Sequence, residues 1–294
     1  YIKGLQCKKL LWLAVHEAEA DELKPDLMAQ HRFAIGHKVG ELARRQFPNG
    51  ILLENTDNFG EWISTTTAAI DAGQEVIFEA AFADECTFVA VDIFRKSGTT
   101  WDIIEVKSGL SVKDTHIDDL AIQYWLLTKL GISVGNTLVM TLNKDCVYPD
   151  LSNLFKLHDV TGQVNAAAAE VGKNVESMQD SLSKNIPDIP VGKHCDSPYP
   201  CPFKSRCWPM LPEHHISTLY MLNKDVALDL EQTKGISEIH HLVDEINLTR
   251  LQQRQVKAVK DNSAFISEDL QAELARIEAP VSYLDFETIM PAIP

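Results

Sequence analysis

The chain has 294 residues, 45% hydrophobic and 23% charged, a composition that supports a globular core with a sizeable appendage. Its 27 basic and 42 acidic residues leave a formal charge of −15, which excludes nucleic-acid binding through the overall field and leaves that task to a local basic patch. No apolar run reaches the length of a membrane span and no signal-peptide pattern stands at Tyr1, so the expectation is a cytoplasmic protein without a membrane partner.

In chain order, YIKGLQCKKLLWL opens as a short amphipathic segment interrupted by Lys8 and Lys9. Residues 31–46 carry Phe33, Ile35, Val39 and Leu42 at mixed three- and four-residue spacing, which predicts a helix stopped by Pro48-Asn49-Gly50. Residues 61–73 predict a second helix ending at Gly73. Three β-rich runs, 76–82, 87–94 and 101–107, are separated by ADEC and RKSGTT and predict a meander of two hairpins. His116–Leu130 then reads as a helix closed by Gly131, and Asn136–Leu142 as another strand. Residues 161–184 predict a long helix, with Val164, Val171 and Met178 repeating at seven beside a stripe of Ala168, Val175 and Leu182. Ile186–Pro212 is rich in Pro and Cys and has no period, and residues 214–278 return to helix with a break at Gly235. The expected class is α/β, in the order helix, three strands, helix, strand.

Chemistry concentrates in the meander. Asp92 interrupts the apolar run VAVDIF, and a carboxylate buried there needs a partner. Glu105 and Lys107, two apart on the third strand, share a face. A hairpin turning about Gly98 sets position 92 against 105, and one turning about Glu85 and Cys86 sets 79 against 92. Glu79, Asp92 and Glu105, thirteen residues apart on each side of Asp92, would then form a row across three strands. Like charges so placed repel, unless a divalent cation sits among them. Carboxylate oxygens suit Mg²⁺ or Mn²⁺, which can polarise a phosphodiester and activate water, while Lys107 orients or deprotonates that water. His37 on the first helix is a candidate metal ligand, and Gln123 on the helix after the third strand could hold a ligand or a backbone group.

Six cysteines in a cytosolic chain argue against disulfides. Cys86 and Cys146 stand alone. Cys195, Cys201 and Cys207, each separated by five residues, lie in an aperiodic stretch that gains order from a metal more readily than from a core, and Cys7 is the candidate fourth ligand. Zn²⁺ and a four-iron cluster are equally compatible with that spacing. Lys8, Lys9, Lys193, Lys204 and Arg206, beside these cysteines, are the candidate phosphate-binding patch.

GHKVGELA with His37, VDIF with Asp92, IIEVKSG with Glu105 and Lys107, and AIQYW with Gln123 resemble the successive motifs of RecB-type PD-(D/E)xK nucleases. CPFKSRC with one distant cysteine resembles the iron–sulfur staple of AddB-type and CRISPR-associated RecB-like exonucleases. The resemblance implies a restriction-endonuclease-like αβββαβ core with a Cys-stapled cluster and a helical C-terminal appendage. It also implies His37, Asp92 and Glu105 as metal ligands, the Val106 carbonyl as another, Lys107 as the catalytic lysine, a [4Fe-4S] cluster rather than zinc, and DNA as the partner. Two details depart from the pattern: the spacing of Cys195 and Cys201 is wider than CxxC, and the tyrosine expected four residues after Gln123 is adjacent to it, as Tyr124.

SYLDFETIMPAIP resembles the first motif of an RNase H-like 3′–5′ exonuclease, with Asp285 and Glu287 on an opening strand, which implies a larger bacterial protein continuing past Pro294. The expected organisation is therefore a nuclease domain with its cysteines over 1–212, a helical region over 213–279, and the start of a second domain over 280–294. The competing reading is a nucleic-acid-binding or scaffolding module with a structural Zn or Fe–S site and no catalysis.

Overall fold

A computed structural model describes residues 1–53, 58–208, 211–242, 246–287 and 292–293. The chain divides into two compact units, Tyr1–Ile189 with Met290–Pro294, and Pro190–Ile289. The division falls inside the Pro- and Cys-rich stretch, ahead of its cysteines, rather than after residue 212, so Cys195, Cys201 and Cys207 belong to the second unit.

The first unit is α/β, built on a mixed six-stranded sheet in which spatial order follows chain order. Strand β1 (Ile51–Leu52) pairs in parallel with β2 (Val76–Ala83). β2, β3 (Phe88–Ser97) and β4 (Thr100–Val106) form the expected antiparallel meander. β4 runs parallel to β5 (Val134–Leu142), and helix α5 (Asp114–Lys129) makes the crossover that parallel strands require. β6 (Phe155–Asp159) returns antiparallel on β5. β1 and β6 were not anticipated. Each is held by backbone pairing to a neighbour that no local pattern reveals.

Register partners share a face of the sheet, and successive residues alternate between faces. Phe78, Ile93, Ile104 and Leu138 pack with Ala43 of α3 (Leu27–Arg44). Ile77, Phe94 and Ile103 pack in a larger core with Trp62 of α4 (Phe59–Asp71), Leu120 and Leu127 of α5, and Val164 and Val171 of α6 (Thr161–Leu182). The seven-residue repeat of α6 is therefore core packing, as its spacing indicates. The amphipathic opening forms two helices, α1 (Ile2–Gln6) and α2 (Lys8–His16), parted by extended backbone at Cys7.

The second unit packs Ile216, Leu219, Leu230, Ile239, Leu242 and Val256 into its own core. It contains α7 (Lys204–Cys207), α8 (Lys224–Gln232), α9 (Arg250–Lys260) and α10 (Leu270–Ala275), joined by 3₁₀ turns. The helix expected over 214–278 with one break at Gly235 is thus corrected to several short helices and turns. Backbone pairing of 214–216 with 237–239 draws those residues out of helical geometry, and Gly235 takes the positive φ of 69° that follows α8. Val281–Glu287 forms no strand, in contrast to the opening strand expected around Asp285 and Glu287; residues 288–291 and 294 of that segment lie outside the described residues. No described helix is long and apolar enough to cross a membrane.

Candidate active site

A two-residue loop, Gly98-Thr99, turns β3 into β4, with Gly98 supplying the positive φ of 61° such a turn demands. Ser97 pairs with Thr100 and Ile93 with Ile104, so one further step sets Asp92 against Glu105. On the other side Phe78 pairs with Ile93 and Ala80 with Val91, which sets Glu79 against Asp92. Carried one position further, both registers agree with the thirteen-residue spacing, although neither Asp92–Glu105 nor Glu79–Asp92 is itself a ladder pair. Glu79 departs from regular strand geometry. Its φ is +57°, a conformation that costs a non-glycine residue energy, and its carbonyl accepts a 2.7 Å hydrogen bond from Trp62 Nε1.

Helix α3 contributes to the cavity that these residues reach. His37, Gly40, Glu41 and Arg44 recur at helical spacing and line one cavity of about 540 Å³ together with Glu79, Asp92, Glu105 and Lys107. The expected His37–Glu79–Asp92–Glu105–Lys107 set is thus gathered from four elements onto one cavity. His37 is exposed, Asp92 is half-buried and Glu105 is 7% exposed.

Each anionic group is held by named neighbours. Val106 N–H donates to Asp92 Oδ2 at 2.7 Å. Lys107 Nζ donates to Glu105 Oε1 at 2.5 Å and to Asp119 Oδ2 at 3.0 Å. Gln123 Nε2 donates to Glu105 Oε2 at 2.9 Å, while Gln123 Oε1 is buried without a hydrogen-bond partner. Arg44 Nη1 stands 3.7 Å from Glu79 Oε1.

Burial holds the Glu105 carboxyl well above the usual carboxylate range, and the charges of Asp92 and Asp119 push it further the same way. Burial also raises Asp92, opposed by the Val106 hydrogen bond and reinforced by Glu79. Glu79 is raised by burial against the pull of Arg44. Burial disfavours the Lys107 ammonium, but the Glu105 and Asp119 charges outweigh it and keep the lysine charged.

Four carboxylates (Glu41, Glu79, Asp92, Glu105) thus stand against Arg44 and Lys107 on the cavity wall. This surplus of oxygen donors, with one imidazole beside it, fits a hard divalent cation such as Mg²⁺ or Mn²⁺. The ligand oxygens of Glu79, Asp92 and Glu105 do not all lie within 4.8 Å of one another, since Glu105 is drawn to Lys107 and Gln123. Closing the set on one ion requires side-chain rotation.

Three residues escaped the sequence reading, Glu41 of the cavity wall among them. Asp119 lies one helical turn before Gln123 on α5, and Arg44 lies two turns after His37 on α3, so helical periodicity applied to either candidate would have found its companion.

None of the six cysteines is in a disulfide. In the second unit Cys195 is buried, Cys201 and Cys207 are half-buried, and the Cys201 N–H bonds the Cys195 carbonyl at 2.8 Å. Their sulfurs do not all lie within 4.8 Å of one another. That spacing is wider than a tetrahedral zinc ion imposes, roughly 3.8 Å from Zn–S bonds of about 2.3 Å. Cys7 lies in the first unit between α1 and α2.

Of the expected phosphate-binding residues, Lys8 bonds Ser177 Oγ and Lys9 is half-buried. Lys193 pairs with Asp225 at 2.9 Å and Lys204 with Asp196 at 2.8 Å, so carboxylates offset much of the local positive charge. Arg206 lies over the Phe203 ring at 4.9 Å. No family model and no curated protein matches this chain.

Proposed function

We propose that this protein is a divalent-metal-dependent DNA nuclease of the RecB-like PD-(D/E)xK class, with a restriction-endonuclease-like core, acting on single strands or duplex ends. The observation that carries this reading is the convergence of His37, Glu79, Asp92, Glu105 and Lys107 on one cavity. The order α4-β2-β3-β4-α5-β5 supports it as the helix–three strands–helix–strand core. His37, Glu79, Asp92 and Glu105 would hold Mg²⁺ or Mn²⁺, which when bound polarises the phosphodiester and lowers the pKa of water. In the same reading Cys195, Cys201 and Cys207 would hold a structural four-iron cluster that orders their own stretch.

The chain's own groups have distinct tasks. Lys107 is held by Glu105 and Asp119, and its ammonium is placed to orient the attacking water and offset phosphate charge. Asp119 positions Lys107, and the Gln123 amide fixes the Glu105 carboxylate. The Val106 N–H fixes the direction of Asp92.

The test is cleavage of labelled single-stranded and duplex DNA, with and without Mn²⁺, by wild type and Lys107→Ala. The expected loss is at least ~100-fold, the lower range for removing one acid–base or electrostatic group. Equal cleavage by both proteins refutes the site. No cleavage by either, with metal bound, favours a nucleic-acid-binding module without catalysis.

A further inference from the structure

A further group of potential metal ligands, Glu238, His240 and His241, lies in the second unit and shares no residue with the carboxylate set or with the cysteines. Ile216 N–H bonds the Ser237 carbonyl and Ile239 N–H bonds the His214 carbonyl, both at 2.8 Å, and His215 and Glu238 form an antiparallel bridge. The chain then makes one 3₁₀ turn, Ile239–His241, closed by His241 N–H to Glu238 O at 3.1 Å and Leu242 N–H to Ile239 O at 3.1 Å. Ile239 is fully buried and Leu242 nearly so, and both sit in the core of this unit.

In a 3₁₀ turn, residues three apart eclipse. Ile239 and Leu242 therefore anchor one side, while Glu238 and His241 share the other, with His240 beside them. The placement of the three polar side chains follows from a backbone pinned at both ends. The ligand atoms of Glu238, His240 and His241 all lie within 4.8 Å of one another. The imidazoles stand 3.9 Å apart between ring centres, and His240 Nδ1 is 3.5 Å from Glu238 Oε2, too far for a good hydrogen bond. Three donors thus converge without satisfying one another.

We propose that Glu238, His240 and His241 bind one transition-metal dication of the Zn²⁺ class. Two imidazoles and one carboxylate are the donor set of zinc and its neighbours, whereas Mg²⁺ prefers oxygen ligands. Tetrahedral bonds of about 2.1 Å hold ligand atoms roughly 3.4 Å apart, which a small closure of these side chains supplies. With only three protein ligands, the fourth position is open to solvent. The site closes on the 238–241 turn, which backbone bonds already hold to the 214–216 segment, and takes a different metal from the carboxylate cavity.

The test uses the full chain without a histidine tag, titrated with Zn²⁺ and with Co²⁺ in excess Mg²⁺. Wild type is expected to bind one more equivalent than the His240→Ala/His241→Ala variant. The variant's affinity at this site should fall at least ~10-fold, the smallest loss for removing even an outer-shell partner. Co²⁺ at this site adds no thiolate charge-transfer band, which separates it from ion bound to the cysteines. Equal stoichiometry in both proteins, or a thiolate band accompanying every equivalent, overturns the proposal. If the double variant misfolds, nuclear magnetic resonance of wild type decides the matter. Substoichiometric Ni²⁺ should selectively broaden the His240 and His241 ring protons, and unaffected rings overturn the proposal equally.

Discussion

Replacing Lys107 by Met keeps most of the aliphatic stem and removes the ammonium that bonds Glu105 Oε1 at 2.5 Å and Asp119 Oδ2 at 3.0 Å. Breaking a buried ion pair from one side costs about 3–5 kcal/mol, and one hydrogen bond to a charged group about 1.5–3 kcal/mol. Two features place this case at the lower end: the Lys107 side chain is 27% exposed, and Glu105 can shed its charge by taking up a proton. The expected loss in metal-free protein is therefore ~2 kcal/mol at neutral pH. The pH dependence has a definite sign. Glu105 is already raised by burial, and Lys107 is what holds it down. Without Lys107 the folded protein binds this proton up to a still higher pH than the unfolded chain does, so stability falls as pH rises through that window. Because Glu105 titrates at about 8 when Lys107 is present, the two proteins part only as pH rises through and above that value, so the deficit should be smaller near pH 7 than near pH 9. Urea unfolding in chelator at both pH values measures it, and the same substitution in a Glu105→Gln background isolates the pair. A deficit that is identical at both pH values and unchanged by Glu105→Gln would refute the account of Lys107 as the counter-charge of Glu105.

Mn²⁺ should raise the unfolding temperature more at pH 8 than at pH 5, because in acid the cation must displace protons from the raised Asp92 and Glu105 carboxyls; an equal shift at both pH values, measured by thermal melts, counts against these ligands. Asp102 is fully buried and accepts bonds from Arg95 at 2.6 Å and from Asn136 N–H at 2.8 Å, so Asp102→Ala should cost at least ~3 kcal/mol, read as a lower urea midpoint. Gln123→Leu should lower DNA cleavage and further raise the Glu105 carboxyl, since it removes the 2.9 Å donor to Glu105 Oε2; an unchanged pH–rate profile would contradict this. Protein purified without oxygen should show broad visible absorption that Cys201→Ser abolishes, and a colourless, iron-free wild type would remove the cluster from the proposal.

The meander was legible in the sequence because its signals are local. β-rich runs alternate with turn residues, and a two-residue loop at Gly98 fixes the pairing of everything upstream by counting. The Asp92–Glu105 and Glu79–Asp92 oppositions follow from that arithmetic. The seven-residue stripe of α6 likewise declares its buried side. Tertiary structure alone decided the rest. Asp119 became the second partner of Lys107 because α5 crosses the sheet there, and the left-handed Glu79 is tied to Trp62 of α4 seventeen positions away in the chain. The pairing of 214–216 with 237–239 overrode the helical pattern of the second unit and brought Glu238, His240 and His241 together. Period and turn chemistry act over a few residues and can be read from the chain. Partners for buried charges and for strand edges are chosen by whichever segments the core brings alongside, and spacing along one chain carries no record of that choice.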